Sequence, residues 1–169
     1  MGSDEVVRIA QSLLVKMLGE RSAPPKLLKY LPTEGLIYTS IKFFHKKIVL
    51  DNIYTSKRPI EENILGLGDD TDALMGEYVI EKGIPTKKLL LIKYPDTERA
   101  REGRIRYIEL RQSWGESSEV LDGVVCFKGQ EGFSAVSCKG SYLIVTFVYP
   151  DGLWAEHYIQ DVVRGLPVE

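Results

Sequence analysis

Two histidines, His45 and His157, and two cysteines, Cys126 and Cys138, are the scarce reactive side chains of this 169-residue chain. Imidazole can carry a proton near neutral pH, and a thiolate can attack a carbonyl. Each needs a partner held within hydrogen-bond reach. Cys126 stands between Val125 and Phe127 in a run that alternates like a strand, where a cysteine packs as a small hydrophobe. His45 falls in a basic bend with Lys46 and Lys47, and His157 lies beside the polar side of the final helix. Both are ordinary places for solvated histidine. These positions do not assemble a nucleophile, a base and an orienting group, so no catalytic residue, cofactor site or metal ligand is assigned. The enzyme alternative is a hydrolase that uses Cys126, or the Asp69 to Asp72 cluster, with His157.

The run Gly66-Leu67-Gly68-Asp69-Asp70-Thr71-Asp72 invites two further chemistries. A phosphate-cradling loop ends in Gly-Lys-Ser/Thr, and the carboxylates here would repel phosphate. A calcium loop needs a central glycine and a distal glutamate in register. The segment therefore reads as a solvated loop or helix cap. Phe43, Phe44, His45, Lys46 and Lys47, with Lys42 before them, combine aromatics with charge in the manner of a single-strand nucleic-acid platform, but the patch is short. Alternation predicts that one phenylalanine is buried and its neighbour exposed at a strand end. Arg99, Arg101, Arg104, Arg106 and Arg111 are interleaved with Asp96, Glu98, Glu102 and Glu109, a pattern of local ion pairs on a wet helix face. Two cysteines are too few for a disulfide scaffold or a cysteine zinc site. Cys126 and Cys138 fall on neighbouring predicted strands, and a hairpin centred between Gln130 and Glu131 would leave them unopposed.

The elements that must position these groups follow from periodicity. Val6, Val7, Ala10, Leu13, Leu14, Met17 and Leu18 predict a helix from Asp4 to about Gly19, which Pro24 and Pro25 cannot continue. A short helical turn follows Lys26. Residues 36–44 and 47–54, rich in β-branched and aromatic residues, predict two extended pieces. The segment 56–72 reads as a surface loop. Strands are predicted over 72–80 and 87–94, the second covered on both faces because of its Leu-Leu-Leu-Ile core. Asp96 caps a helix that runs to about Gln112, with Ala100, Ile105, Ile108 and Leu110 inward and the arginines in water. After a loop at 115–118, strands over 124–128, 133–137 and 142–149 form a meander. The last of these is central because it is apolar on both faces. Asp151 opens a final helix that Gly165 closes, with Ala155, Tyr158, Ile159, Val162 and Leu166 on one side. The order predicts an α+β fold, a largely antiparallel mixed sheet with about three helices packed on it, as one domain over residues 4–166.

Composition narrows the function classes. A formal charge of -2 and a hydrophobic content of 44% describe an ordinary globular chain without the basic excess of a polyanion binder, so no nucleic acid is expected as partner. The longest apolar runs are strand-sized, far short of the roughly 20 residues that span a bilayer. Gly2 and Ser3 after Met1 read as a remnant of expression, so a native leader or upstream segment is expected to have been removed.

Leu31-Pro32-Thr33-Glu34-Gly35, Glu62-Asn63-Ile64-Leu65-Gly66-Leu67, Gly76-Glu77-Tyr78, and above all Leu90-Leu91-Ile92-Lys93-Tyr94-Pro95 followed by Ala100 carry a resemblance. Over residues 26–112 the chain resembles the C-terminal part of an uncharacterised bacterial family of exported proteins, a domain of unknown function. The resemblance implies a longer parent protein and a periplasmic or other extracytoplasmic home, with a cytoplasmic one as the alternative. It supplies no reaction and no catalytic residue. The expectation is a non-enzymatic binding or structural module of the bacterial cell envelope. It would bind a protein, peptide or small ligand through the sheet face or through a cleft beside the loop Ser56 to Asp72.

Overall fold

The computed structural model describes residues 25–54, 57–60, 62–81 and 86–167. The helix expected from Asp4 lies outside them. A 3-10 turn, Lys26–Tyr30, leads to β1 (Leu36–Phe44), α1 (Lys47–Ile53), β2 (Asp72–Tyr78) and β3 (Lys87–Lys93). Then come α2 (Thr97–Ser113), β4 (Ser117–Leu121), β5 (Val124–Gly129), β6 (Gly132–Lys139), β7 (Tyr142–Tyr149) and α3 (Gly152–Gly165). The strands form one seven-stranded sheet in the order β1-β2-β3-β7-β6-β5-β4, antiparallel at every pairing. The fold is α+β, as the periodicity predicts.

Alternation along the strands makes two cores. Ala73, Met75, Leu90, Ile92, Val125, Val136, Leu143 and Val145 point to one face, where Ala100 and Tyr107 of α2 meet them. Leu74, Leu89, Leu91, Cys126, Ala135 and Ile144 point to the other, beneath Ala155, Tyr158, Ile159 and Val162 of α3. The central pair, β3 and β7, is therefore buried on both sides, which is why its sequences read as continuous apolar runs.

Both long helices start at the aspartates expected to cap them. Asp96 accepts from the Arg99 amide at 2.8 Å, and Asp151 accepts from the Trp154 amide at 2.8 Å.

Four expectations need correction. Residues 47–53 form a helix rather than a strand. Their β-branched content suggested a strand, but Val49, Leu50, Ile53 and Tyr54 have the spacing of one helical face, and all four reach the core. Lys47 and Asp51, four apart on that helix, pair at 2.7 Å. The segment before β2 is not confined to the surface, because Ile60, Leu65 and Leu67 are buried. Irregular backbone is tolerated there because it is tied down: Tyr94 Oη donates to Leu65 O at 2.5 Å, and the Asn63 amide brackets Leu67 at both its carbonyl and its N–H. Ser117, expected in a loop, opens β4, an exposed edge strand whose polar sequence carries no alternation. Finally, α2 buries Ala100, Gly103, Tyr107 and Arg111, while Ile105, expected inward, is 52% exposed. Its inner stripe has helical spacing, but it is written in small, aromatic and charged residues rather than aliphatic ones.

Candidate binding cleft at the end of helix α2

Helix α2 stops at Trp114, and the stop builds a site. Gly115 sits at φ +75°, in the left-handed region that glycine enters without strain. Its N–H donates to Gln112 O at 2.8 Å, and the Glu116 N–H reaches Arg111 O at 3.4 Å. This is the paired reversal of a Schellman cap. It folds Glu116 back onto the helix it has just left, so its carboxylate meets the Arg111 guanidinium at 2.6 Å. The two side chains are 6% and 9% exposed. A Cβ on Gly129 would stand 2.6 Å from the Glu116 carboxylate, so only glycine leaves room for it.

Arg111 is satisfied on its other side by Ser134 Oγ at 3.1 Å and lies over the rings of Trp114, Phe127 and Tyr107 at 5.3, 5.7 and 5.8 Å. Burial opposes the charge on Arg111. The neighbouring Tyr107 and Glu116 outweigh that, and its pKa stands above the usual guanidinium value. Burial drives the Tyr107 hydroxyl far above the ordinary phenol range, and among the described residues it has no hydrogen-bond partner.

The strand beneath is bent to fit. Val148, β-branched, sits at φ +56°, a region such residues rarely enter. It marks an extra residue in β7, since Phe133 pairs with Tyr149 but Ala135 with Thr146. The bulge breaks the alternation, so Phe147 and Val148 both face α2 and Tyr149 returns to the α3 side. The Val148 N–H then donates to the same Ser134 Oγ that Arg111 uses, at 3.3 Å. A cavity of about 30 Å³, room for one water, remains between Tyr54, Arg58, Arg111, Glu116, Ser134 and Val148.

Outside it, Arg58 donates to the Trp114 carbonyl at 2.6 Å, placing a cation at the negative end of α2. A wider groove of about 470 Å³ runs outward from there between residues 57–60, Glu62 and Ile64 on one side and the helix end on the other. Pro59, Ile60, Ile64, Leu110 and Trp114 line it, with Lys57 and Glu62 at its margins. An aromatic and aliphatic floor with charged margins suits an amphipathic ligand.

The residues singled out from the sequence lie elsewhere. Cys126 faces the α3 core, and desolvation, with the carboxylates of Glu156 and Glu119 adding to it, pushes its thiol up to about 11. That surrounding disfavours a thiolate, the reverse of what a cysteine nucleophile needs. Cys126 pairs across the hairpin with Ala135 and Cys138 with Leu143, so the two thiols are unopposed and free. His157 pairs with Asp161 at 3.3 Å on α3 and packs edge-on against Trp154 and Tyr158.

The Asp69 to Asp72 cluster is not joined by His157. Asp69 pairs with Lys46 at 3.0 Å, Asp72 with His45 at 3.5 Å, and Asp70 with Arg99, whose guanidinium holds the Asp70 carboxyl below its ordinary range. His45 Nδ1 also lies 2.5 Å from the Thr71 carbonyl. The basic bend and the acidic loop are therefore each other's partners. Phe44 is buried and Phe43 exposed, as alternation predicts. Among the described residues, no three of His, Cys, Asp and Glu are grouped to hold a metal ion, and no helix is long and apolar enough to cross a membrane.

The loop Ser56 to Asp72 is expected beside a cleft, whereas Arg111, expected in water with the other arginines of the helix, is buried. Trp114-Gly115-Glu116 carried the overlooked signal, a helix stop followed by an acid. The chain matches no protein-family model, no curated protein and no solved structure.

Proposed function

We propose that this protein is a non-enzymatic binding module that takes a peptide, protein segment or small ligand in the cleft between residues 57–60, Glu62 and Ile64 on one side and the end of α2 on the other. The observation that carries the reading is the groove itself, an apolar and aromatic floor beside a buried, fully paired Arg111–Glu116 couple and a strained Val148. Strain and buried charge cost folding energy, and strained backbone clusters at ligand sites. The alternative route through the sheet face is unfavourable over β3 and β7, whose two faces are both covered. The hydrolase alternative places its nucleophile, Cys126, among carboxylates and leaves His157 paired with Asp161. The family resemblance adds an extracytoplasmic, envelope-associated setting to the proposal, which fractionation of cells expressing the full-length gene tests.

The chain has two tryptophans, Trp114 and Trp154. Trp154→Phe therefore leaves one fluorescent reporter in the cleft. Compounds and peptides that raise the melting temperature of this variant should shift Trp114 emission, and Ile64→Arg should abolish both responses. A library of metabolites and peptides whose stabilising members leave Trp114 emission unchanged would overturn the assignment of the cleft. Turnover of ester or amide substrates that survives Ile64→Arg but not Cys126→Ala would restore the hydrolase.

A further inference from the structure

Strand β4 closes one end of the sheet and pairs on one side only, with β5. Among the described residues, its other row of backbone donors and acceptors meets no strand. Such edges are commonly protected by a bulge, a lysine or a proline. The opposite edge follows that rule, for β1 has an irregular register between Ile37 and Lys42 and carries Lys42 itself. Strand β4 runs in unbroken register through Ser117, Ser118, Glu119, Val120 and Leu121, with neither lysine nor proline.

A groove of about 260 Å³ lies against this edge, over Cys126, Lys128 and Phe133. Pairing of Glu119 with Cys126 and of Ser117 with Lys128 puts these side chains on the α3 face. Two carboxylates act on Cys126 there, Glu156 from α3 and Glu119 from the edge. Among the described residues neither has a hydrogen bond or ion pair. Lys128 is the groove's cation, and its ammonium stands 5.9 Å from the Phe133 ring centre. Val120, on the other face of the strand, is 68% exposed, and Leu153, at the start of α3, is 74% exposed.

From this geometry we infer that β4 accepts an extended peptide as an additional strand, with a basic side chain opposite Glu119 on the α3 face and an apolar side chain beside Val120 on the other. Backbone pairing supplies affinity, and the alternation of side chains between the two faces supplies selection. The charge names the occupant: two unpaired carboxylates beside an apolar floor call for a cationic residue among apolar ones. A second copy of the chain, paired antiparallel about Glu119, would instead set two carboxylates opposite each other. This site lies on the α3 side of the sheet and does not depend on the cleft beside α2.

The test uses the full chain and three capped heptapeptides: alternating valine and lysine, alternating valine and glutamate, and the first with every backbone amide N-methylated. Hydrogen exchange and amide chemical shifts of residues 117–121 are the readout. The valine–lysine peptide should protect these amides. The glutamate peptide and the N-methylated one should bind at least about tenfold more weakly, and Glu119→Lys should reverse the preference between lysine and glutamate. Glu119 is exposed, and circular dichroism checks that the variant is folded. Equal binding of the lysine and glutamate peptides, undiminished binding of the N-methylated peptide, or no protection at millimolar peptide would each overturn the inference. So would β4 protection that rises with protein concentration alone, which would make a second copy the occupant.

Discussion

Helix α2 turns Ala100, Gly103, Tyr107 and Arg111 toward the sheet, whereas α3 turns Ala155, Tyr158, Ile159 and Val162. The first set is small, aromatic and charged; the second is mainly aliphatic and aromatic. A Cβ on Gly103 would come within 2.7 Å of the Tyr94 hydroxyl, so α2 lies close to its neighbours because it has little side chain in the way. Its grip is concentrated at its end, in the ring-stacked Arg111 held by Glu116 and Ser134. Helix α3 spreads its grip along an apolar stripe. Two helices can thus cover the two faces of one sheet by different physics, and the cleft has formed beside the one that relies on polar anchoring.

The sharpest way to break that contrast is Arg111→Met. Removing one partner of a buried ion pair leaves the other charge desolvated and alone, and urea unfolding should show a loss of about 4 kcal/mol. Adding Glu116→Leu should recover most of it, because an apolar pair of similar volume is often as stable as the ions it replaces. A single-variant loss under about 1 kcal/mol would mean that α2 is not held by this pair. On the other face, Ile159→Ala should cost about 3 kcal/mol through lost burial and the cavity left behind, and no second substitution of a charged residue should rescue it.

The caps sharpen the comparison by being alike. Asp96→Ala and Asp151→Ala remove the same hydrogen bond, 2.8 Å in each case, and each should lower stability by about 1 kcal/mol. Unequal losses would show that one helix is held more by its start than by its underside.

An effect confined to alkaline pH belongs to Cys126, beneath α3. Its folded thiol is pushed up to about 11 from an ordinary 9.0. Between those values the folded state keeps a proton that the unfolded chain has lost, so its contribution to stability declines as pH rises from 9 to 11. Wild type should therefore lose stability faster than Cys126→Ala across that window, and at pH 8 the native thiol should react slowly with iodoacetamide.

How much of this was legible in the sequence follows the same division. The stripe of α3 and the alternation of β5, β6 and β7 were readable because apolar side chains do the packing there, and apolar periodicity is what a sequence displays directly. For α2, the period was present but written in Gly103, Tyr107 and Arg111, so reading aliphatics alone turned the helix toward Ile105. Helix α1 was obscured differently. Isoleucine and valine favour strands locally, and packing of Leu50 and Ile53 into the core overrode that preference. Strand β4 had no apolar signal because an exposed edge needs none. The cleft depends on contacts between segments far apart in the chain, such as Arg58 to Trp114 and Arg111 to Ser134, and residue type alone does not specify those.

The seam between β3 and β7 sets the pace at which the molecule assembles. Strands β4 to β7 follow one another through two-residue turns, so that half can zip locally within microseconds to milliseconds. The seam instead joins residues 49 to 59 positions apart, from Lys93 against Tyr142 to Lys88 against Phe147, with α2 in the chain between them. Closing that loop is the slow, non-local event. Once shut, the seam should hold the Leu90 and Val145 amides at its middle longest against exchange, since both residues are fully buried and paired in the centre of the sheet.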